Sequence, residues 1–170
     1  MAFVSDNGPA KGPVKGWLDG WPTEDFILGS AGPLRGHKAQ LYEGGIREPF
    51  MLRWPAQLKA GQTCPLPVST MDLYPTFCEA AGVPVPDGTH LDGVSLLPYL
   101  LGGKGGAPHD ILFWKCDDNG AVREGDWKLV LGPWIPVPEL YNLKSDIGET
   151  NNLAAAHPDV AARLKKAWDD

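Results

Sequence analysis

Three absences narrow the reading before any motif is considered. No apolar run reaches 18 residues, so the sequence encodes no transmembrane helix, and a membrane partner is not expected. The three cysteines, Cys64, Cys78 and Cys116, are an odd number without a C-x-x-C pair. That excludes a disulfide framework and zinc-ligand spacing while leaving room for one disulfide. There is no basic excess either: 15 Lys and Arg stand against 21 Asp and Glu, for a net charge of −6. Nucleic acid is therefore not expected as the main partner. The opening residues Met1–Asp6 carry neither a basic n-region nor an apolar h-region, so no secretory signal is expected in them. Internal repeats and low-complexity tracts are also missing.

What the chain has in abundance is backbone punctuation. Its 170 residues include 21 glycines and 17 prolines, about twice the average share of roughly 12% for the two together. No stretch free of helix breakers is long enough for a helical bundle or a coiled coil. With 43% hydrophobic and 21% charged residues, the chain can still build a core. Charge is uneven, at +1 over residues 1–60, −5 over 61–120 and −2 over 121–170.

The periodicity predicts the following elements. A strand end at residues 3–4 runs into Ser5-Asp6-Asn7-Gly8-Pro9. A long Gly/Pro-rich loop over 8–34 holds Trp17 and Trp21, which are expected to pack against something. A buried strand covers 50–54 and stops at Pro55. A helix starts at Asp72 as N-cap, with Pro75 in its first turn and Leu73, Phe77 and Ala81 as its apolar stripe, and Gly82 ends it. Ser95 caps a short helix over 96–101. Gly102-Gly103 opens a linker, 102–108, that divides a 1–101 portion from a 109–170 α+β portion. Beyond the linker, strands are expected over 111–115 and 127–131, with an Asn119-Gly120 turn between them and short strands over 121–124 and 138–143. The last element is a helix with His157 near its N-cap, Pro158 at N1, and Val160, Leu164 and Trp168 on one face.

Two segments carry chemistry. Asp6 and Asn7 set a carboxylate beside an amide oxygen at a strand end, hard donors suited to Ca²⁺ or Mg²⁺. Two ligands fall short of a full shell, so other segments would have to complete it. Read alone, the same residues spell an Asx-turn, and that reading outweighs the cation. From Leu34 to Pro49, Lys38 and Arg47 are cations that suit an anionic substrate, and Gly44-Gly45 implies close backbone approach. Read singly, Lys38 is a solvated lysine and Arg47 pairs with Glu43 or Glu48.

In combination these segments resemble the type I sulfatases, an arylsulfatase family with an alkaline-phosphatase-like α/β fold. The resemblance runs from Ser5-Asp6-Asn7-Gly8-Pro9 through Leu34-Arg35-Gly36-x-Lys38 to Tyr42-Glu43-Gly44-Gly45-x-Arg47-x-Pro49. It continues in Asp72-Leu73-Tyr74-Pro75-Thr76 and Asp92-Gly93-Val94-Ser95-Leu96. It closes in Leu140-Tyr141-Asn142-Leu143 with Asp146, Glu149, Asn152 and Leu153.

The resemblance implies that Asp6 and Asn7 are two ligands of a divalent cation, Ca²⁺ with Mg²⁺ as the variant. It implies that Lys38 contacts the sulfate as catalytic and substrate-binding residue. Position 37 is not part of the pattern: His37 is a weak substrate-binding candidate, outweighed by the reading of a surface or packing histidine. Tyr42–Pro49 becomes a structural turn, buttressed by a Glu43–Arg47 pair. The fold implied is the C-terminal part of the sulfatase fold, with a small antiparallel sheet and helix at its end.

The departures are equally informative. Sulfatases make a formylglycine nucleophile from the Cys or Ser of a C-x-P-S-R-type motif, and none of the three cysteines has that context. The paired aspartates that complete the metal site are missing, and so is a G-x-S-x-G elbow. The expectation is therefore a C-terminal fragment of a sulfatase, inactive alone, whose parent cleaves sulfate esters of a sulfated small molecule or carbohydrate. A periplasmic or secreted location follows from family habit. The alternatives are a phosphodiesterase or phosphonate hydrolase of the same superfold, and a non-catalytic sulfatase-derived module.

Overall fold

The computed structural model describes residues 1–11 and 27–170. The greater part of the expected 8–34 loop, with Trp17 and Trp21, lies outside the described residues. In chain order the elements are β1 (Ala2–Val4), β2 (Ala10–Lys11), β3 (Ile27–Leu28), α1 (Glu43–Ile46), β4 (Phe50–Leu52), α2 (Leu73–Ala81), α3 (Leu97–Leu100), β5 (Ile111–Cys116), β6 (Asn119–Glu124), β7 (Trp127–Gly132), β8 (Ile135–Asn142) and α4 (Pro158–Asp169). A 3₁₀ turn, Thr70–Asp72, leads into α2. The chain groups into two compact units. One holds Met1–Val4 with Phe50–Asp110, and the other holds Ser5–Pro49 with Ile111–Asp170.

In the first unit β1 and β4 pair antiparallel, with Phe3 opposite Met51. Both of these side chains are more than half exposed, at 55% and 57%. The strand expected over 50–54 therefore ends at Leu52 and is not buried. With β1 as its partner it is half of a two-stranded ribbon, too narrow to cover its own faces.

Asp72 holds the N-cap position of α2 as expected, but it is itself helical and its side chain caps no N–H of that helix; the capping bonds belong to the 3₁₀ turn before it. Ser69 is the cap: its hydroxyl accepts the Met71 N–H (3.3 Å), and the Asp72 carboxylate accepts the Ser69 N–H (2.8 Å), a capping box around the 3₁₀ turn. Asp72 is thereby released for a longer-range task. It is fully buried, and its Oδ1 accepts both the Val94 N–H (2.9 Å) and His109 Nε2–H (2.8 Å). Thr76 completes the tie by donating to the Asp72 carbonyl (2.6 Å) and accepting the Leu96 N–H (2.9 Å). The Asp72–Thr76 and Asp92–Leu96 motifs are thus two halves of one hydrogen-bonded joint. The face of α2 that is buried carries Pro75 and Thr76, not the expected Leu73–Phe77–Ala81 stripe; Phe77 is 48% exposed.

The second unit is built on the antiparallel meander β5-β6-β7-β8. The β5–β6 hairpin turns at Asp117-Asp118, and Asn119 and Gly120 already lie in β6, opposite Cys116 and Lys115. Asp117, at φ +52°, takes the left-handed turn conformation that Asp tolerates. Gly120 is needed for a different reason: a Cβ there would stand 2.5 Å from the Trp168 ring of α4.

α4 lies over one face of this sheet as its periodicity predicts, burying Val160 and Leu164 against Val122, Leu129, Leu131 and Leu140. The other face packs Ala121, Val130 and Tyr141 against Leu41 and Tyr42. The meander is therefore covered twice, by α4 and by the segment that precedes α1. Leu164 is fully buried, and Leu164→Ala should cost about 2–5 kcal/mol. A chemical-denaturation midpoint that does not move would show that this face is not a packed core.

Candidate functional site

Asp6 and Asn7 lie in the turn after β1, where Ser5 Oγ donates to the Asn7 carbonyl (3.1 Å). The turn is seated on the α1 segment by its backbone. The Gly8 N–H donates to the Gly45 carbonyl (3.3 Å), the Lys38 N–H to the Pro9 carbonyl (3.0 Å), and the Ser5 N–H to the Pro49 carbonyl (3.2 Å). The approach requires glycine: a Cβ on Gly8 would stand 2.0 Å from the Gly44 carbonyl oxygen. Three expected site residues thus fall on two abutting backbone segments. The Asp6 and Lys38 side chains are exposed, and Asn7 is partly so. His37 turns its Nδ1–H onto the Lys38 carbonyl (2.8 Å).

The donors at this turn suit a hard cation. Beside Asp6 stands Glu48, whose Oε1 is sealed from solvent with no hydrogen-bond partner. Burial, and then the Asp6 charge, push the Glu48 carboxyl above the usual range. Two carboxylates that repel each other, one of them unsatisfied, are what a divalent ion would relieve. The set is partial: among the described residues no three His, Cys, Asp or Glu side chains come close enough to hold a metal together.

Behind the turn lies a charged network that sequence patterning did not show. The expected Glu43–Arg47 pair forms (3.3 Å), but the main partner of Glu43 is Lys128 of β7, at 2.9 Å. Lys128 is fully buried and also pairs with Glu149 at 2.9 Å. The second Glu149 oxygen accepts the Glu43 N–H at 2.6 Å. For Glu43, burial raises the carboxyl pKa, but the charge and hydrogen bond of Lys128, with the Arg123 and Arg47 charges, together outweigh it and the net direction is down. For Glu149 burial prevails over Lys128 and the net direction is up. The available signal was a lysine inside Trp127-Lys128-Leu129-Val130-Leu131, a strand apolar on both sides of it.

A second network joins the first. Arg35 Nη1 donates to Glu139 Oε2 (3.2 Å), Tyr141 Oη (2.6 Å) and the Glu149 carbonyl (3.0 Å), while its guanidinium carbon sits 3.8 Å from the Tyr42 ring centre. Tyr42 and Tyr141 both donate to Glu139 Oε2, at 2.7 and 2.6 Å. Burial raises the Glu139 carboxyl pKa, but the two phenols and Arg35 outweigh it and the net direction is down.

Comparison with known proteins agrees with this architecture. Residues 36–169 match the family model for N-sulphoglucosamine sulphohydrolase, C-terminal. Human arylsulfatase A is 36% identical over 98% of this chain and 36% of its own length. A solved Bacteroides thetaiotaomicron structure, BT33336S-sulf, described with the metabolism of multiple glycosaminoglycans, superposes with TM-score 0.75 at 25% identity, over 99% of this chain and 38% of that one. The phosphonate monoester hydrolase of Agrobacterium radiobacter superposes with TM-score 0.57 at 29% identity, over 76% of this chain and 29% of that one.

The fold is thus the C-terminal part of an alkaline-phosphatase-like hydrolase fold, closed by a small antiparallel sheet and a helix. The chain belongs to the sulfatase family and corresponds to its C-terminal region. It spans well under half the length of each of these relatives.

The Glu139 network makes stability pH-dependent with a definite sign. A carboxyl whose folded pKa is depressed contributes fully above its unfolded value, about 4.3, and loses the contribution as pH falls through the folded value. Glu139→Gln should therefore melt below the parent chain at pH 7. The gap should narrow below about pH 4, as protonation removes the charge from the parent too. A gap that stays constant from pH 7 to pH 3 would contradict the network.

Proposed function

We propose that this chain supplies the cation-binding turn and the sulfate-contacting lysine of a sulfate-ester hydrolase. Asp6 and Asn7 are read as cation ligands and Lys38 as the cationic contact to the sulfuryl oxygens. The observation that supports this best is the seating of the Asp6–Gly8 turn on the Lys38–Gly45 segment, in a chain of the sulfatase family. The division of labour follows from charge. A bound divalent ion would polarise a sulfuryl oxygen and neutralise charge that builds there. Asp6 and Asn7 would hold it with hard oxygens. Lys38 would present a compact ammonium to a second oxygen, opposing charge that grows in the transition state. His37, its Nδ1–H held by the Lys38 carbonyl, would lie beside that lysine as a weaker substrate contact.

No cysteine of this chain has a C-x-P-S-R context, so the nucleophile, a formylglycine in this family, would come from elsewhere in the enzyme. The substrate class we propose is a sulfated carbohydrate, and the setting periplasmic or secreted. The glycosaminoglycan link of the Bacteroides relative supports the substrate class. The superposition with a phosphonate monoester hydrolase favours, as second reading, a phosphonate or phosphodiester substrate at the same site.

The test is kinetic. In the full-length enzyme that carries this segment, Lys38→Ala should lower kcat/KM for a chromogenic sulfate ester by about 10²-fold or more. Asp6→Ala should raise the calcium concentration needed for half-maximal activity. Wild-type kinetics in Lys38→Ala would remove Lys38 from the site. Turnover of the same ester by the purified 170-residue chain would overturn the assignment of the nucleophile to another segment.

A further inference from the structure

Glu149 is unusual on three independent counts. It is fully buried. It is a non-glycine residue at φ +52°, in the left-handed region, a conformation that persists only where the surroundings impose it. It is also the one residue shared by both charged networks. Its carbonyl accepts Arg35 (3.0 Å), one carboxylate oxygen accepts the Glu43 N–H (2.6 Å), and the other pairs with Lys128 (2.9 Å).

Arg35 and Glu43 bracket the Lys38 segment, and the bracket is closed by the Gly44 N–H donating to the Arg35 carbonyl (2.6 Å). Glu149 therefore holds both ends of the segment that carries Lys38. Through Gly45, whose carbonyl accepts the Gly8 N–H, it also reaches the segment that seats Asp6 and Asn7. Leu41 and Tyr42 anchor the end of this segment on the sheet, but Gly36–Gln40, the stretch that carries Lys38, has no buried side chain of its own. Its position is set by what grips its ends.

We infer that Glu149 is a positioning residue: through the Glu43 amide and Arg35 it fixes the loop that presents Lys38 and seats the Asp6–Asn7 turn. It touches neither ion nor substrate. The functional weight of this inference rests on the reading of Asp6, Asn7 and Lys38 given above; the clamp itself does not.

Two variants separate reach from charge. Glu149→Gln keeps an oxygen that can accept the Glu43 N–H while giving up the charge opposite Lys128. Glu149→Asp keeps the charge but is one methylene shorter, so it cannot hold both partners at the same backbone position. Amide hydrogen exchange on the 170-residue chain reads the clamp directly. We expect Glu149→Asp to speed exchange at Gly8, Lys38 and Gly44 about tenfold or more, with Leu129 and Leu140 of the meander unchanged. Glu149→Gln should leave Gly8 and Lys38 within about twofold of the parent. Val160→Ala, a core variant under α4, should show no loop-specific change.

Uniform acceleration across loop and sheet in Glu149→Asp would overturn the inference, because Glu149 would then be a general stabiliser. Loop acceleration by Val160→Ala would do the same. Unprotected Gly8 and Lys38 amides in the parent chain would overturn it outright. In the full-length enzyme, Glu149→Asp should raise the half-saturating calcium concentration and Glu149→Gln should not. If Asp6→Ala shifts the calcium requirement and Glu149→Asp does not, the positioning role fails. If loop exchange responds to Glu149→Asp but Asp6→Ala leaves the calcium requirement unchanged, the clamp stands and the cation reading fails.

Discussion

The constraint on which the larger unit depends is an ammonium group with no access to water. Lys128 is fully buried in β7, and its charge is met by two carboxylates from distant parts of the chain, Glu43 and Glu149. Burying three charges costs several kcal/mol per ion before their attraction returns any of it. The arrangement is therefore a poor way to gain stability and a good way to enforce geometry. Remove Lys128 and two carboxylates are left in the core without a counter-charge. Satisfying Lys128 requires the α1 segment and the Glu149 turn to stand in one place relative to the sheet, with little tolerance. The Arg35 network repeats the logic at the solvent edge, where a planar guanidinium lies against the Tyr42 ring and donates to four oxygens.

The meander serves two partners at once. Its face toward α4 is an ordinary apolar core. Its other face receives Leu41 and Tyr42, so the segment between β3 and β4 is packed as though it were a second covering layer. The loop proposed to carry chemistry is then held by a sheet packed on both faces, the usual economy of binding sites: variable or strained backbone placed on a packed scaffold. In the first unit the Asp72–Thr76 joint does similar work with neutral hydrogen bonds, pinning the Val94–Leu96 backbone to the start of α2.

Much of this was legible beforehand, and the failures share a cause. The terminal helix was readable in full, since Val160, Leu164 and Trp168 sit at helical spacing behind Pro158 and the sheet beneath is apolar. The meander was readable in its strands but not in its first turn. Asn119-Gly120 is the stronger turn pair by local chemistry, yet Asn119 is needed inside β6, where its side-chain oxygen accepts the Trp134 N–H (3.2 Å), and Gly120 is needed under Trp168. The α2 stripe failed in the same way, because the joint at Asp72 and Thr76 sets which face is buried. The candidate residues Asp6, Asn7 and Lys38 were visible because motif order survives in sequence. Lys128, Glu139 and Glu149 were not assigned roles, because pairing across roughly a hundred residues leaves no local spacing to read. A lysine between apolar neighbours is a hint of burial, but it does not name its partner.

The same physics bears on the breadth of substrate in this fold. A sulfate monoester and a phosphonate monoester each present a tetrahedral centre with a single net negative charge. On the proposed roles, the Lys38 ammonium and a cation held by Asp6 and Asn7 would act on that charge and shape, and neither would sense whether sulfur or phosphorus lies at the centre. The groups that must differ between the two chemistries are those that meet the nucleophile, the leaving group and the third substituent. A segment that served charge neutralisation, positioned through the Lys128 ion pairs, could then stay unchanged while the surrounding pocket changed its ester. This chain of the sulfatase family also superposes on a phosphonate monoester hydrolase over three-quarters of its length, as such a division of labour would allow.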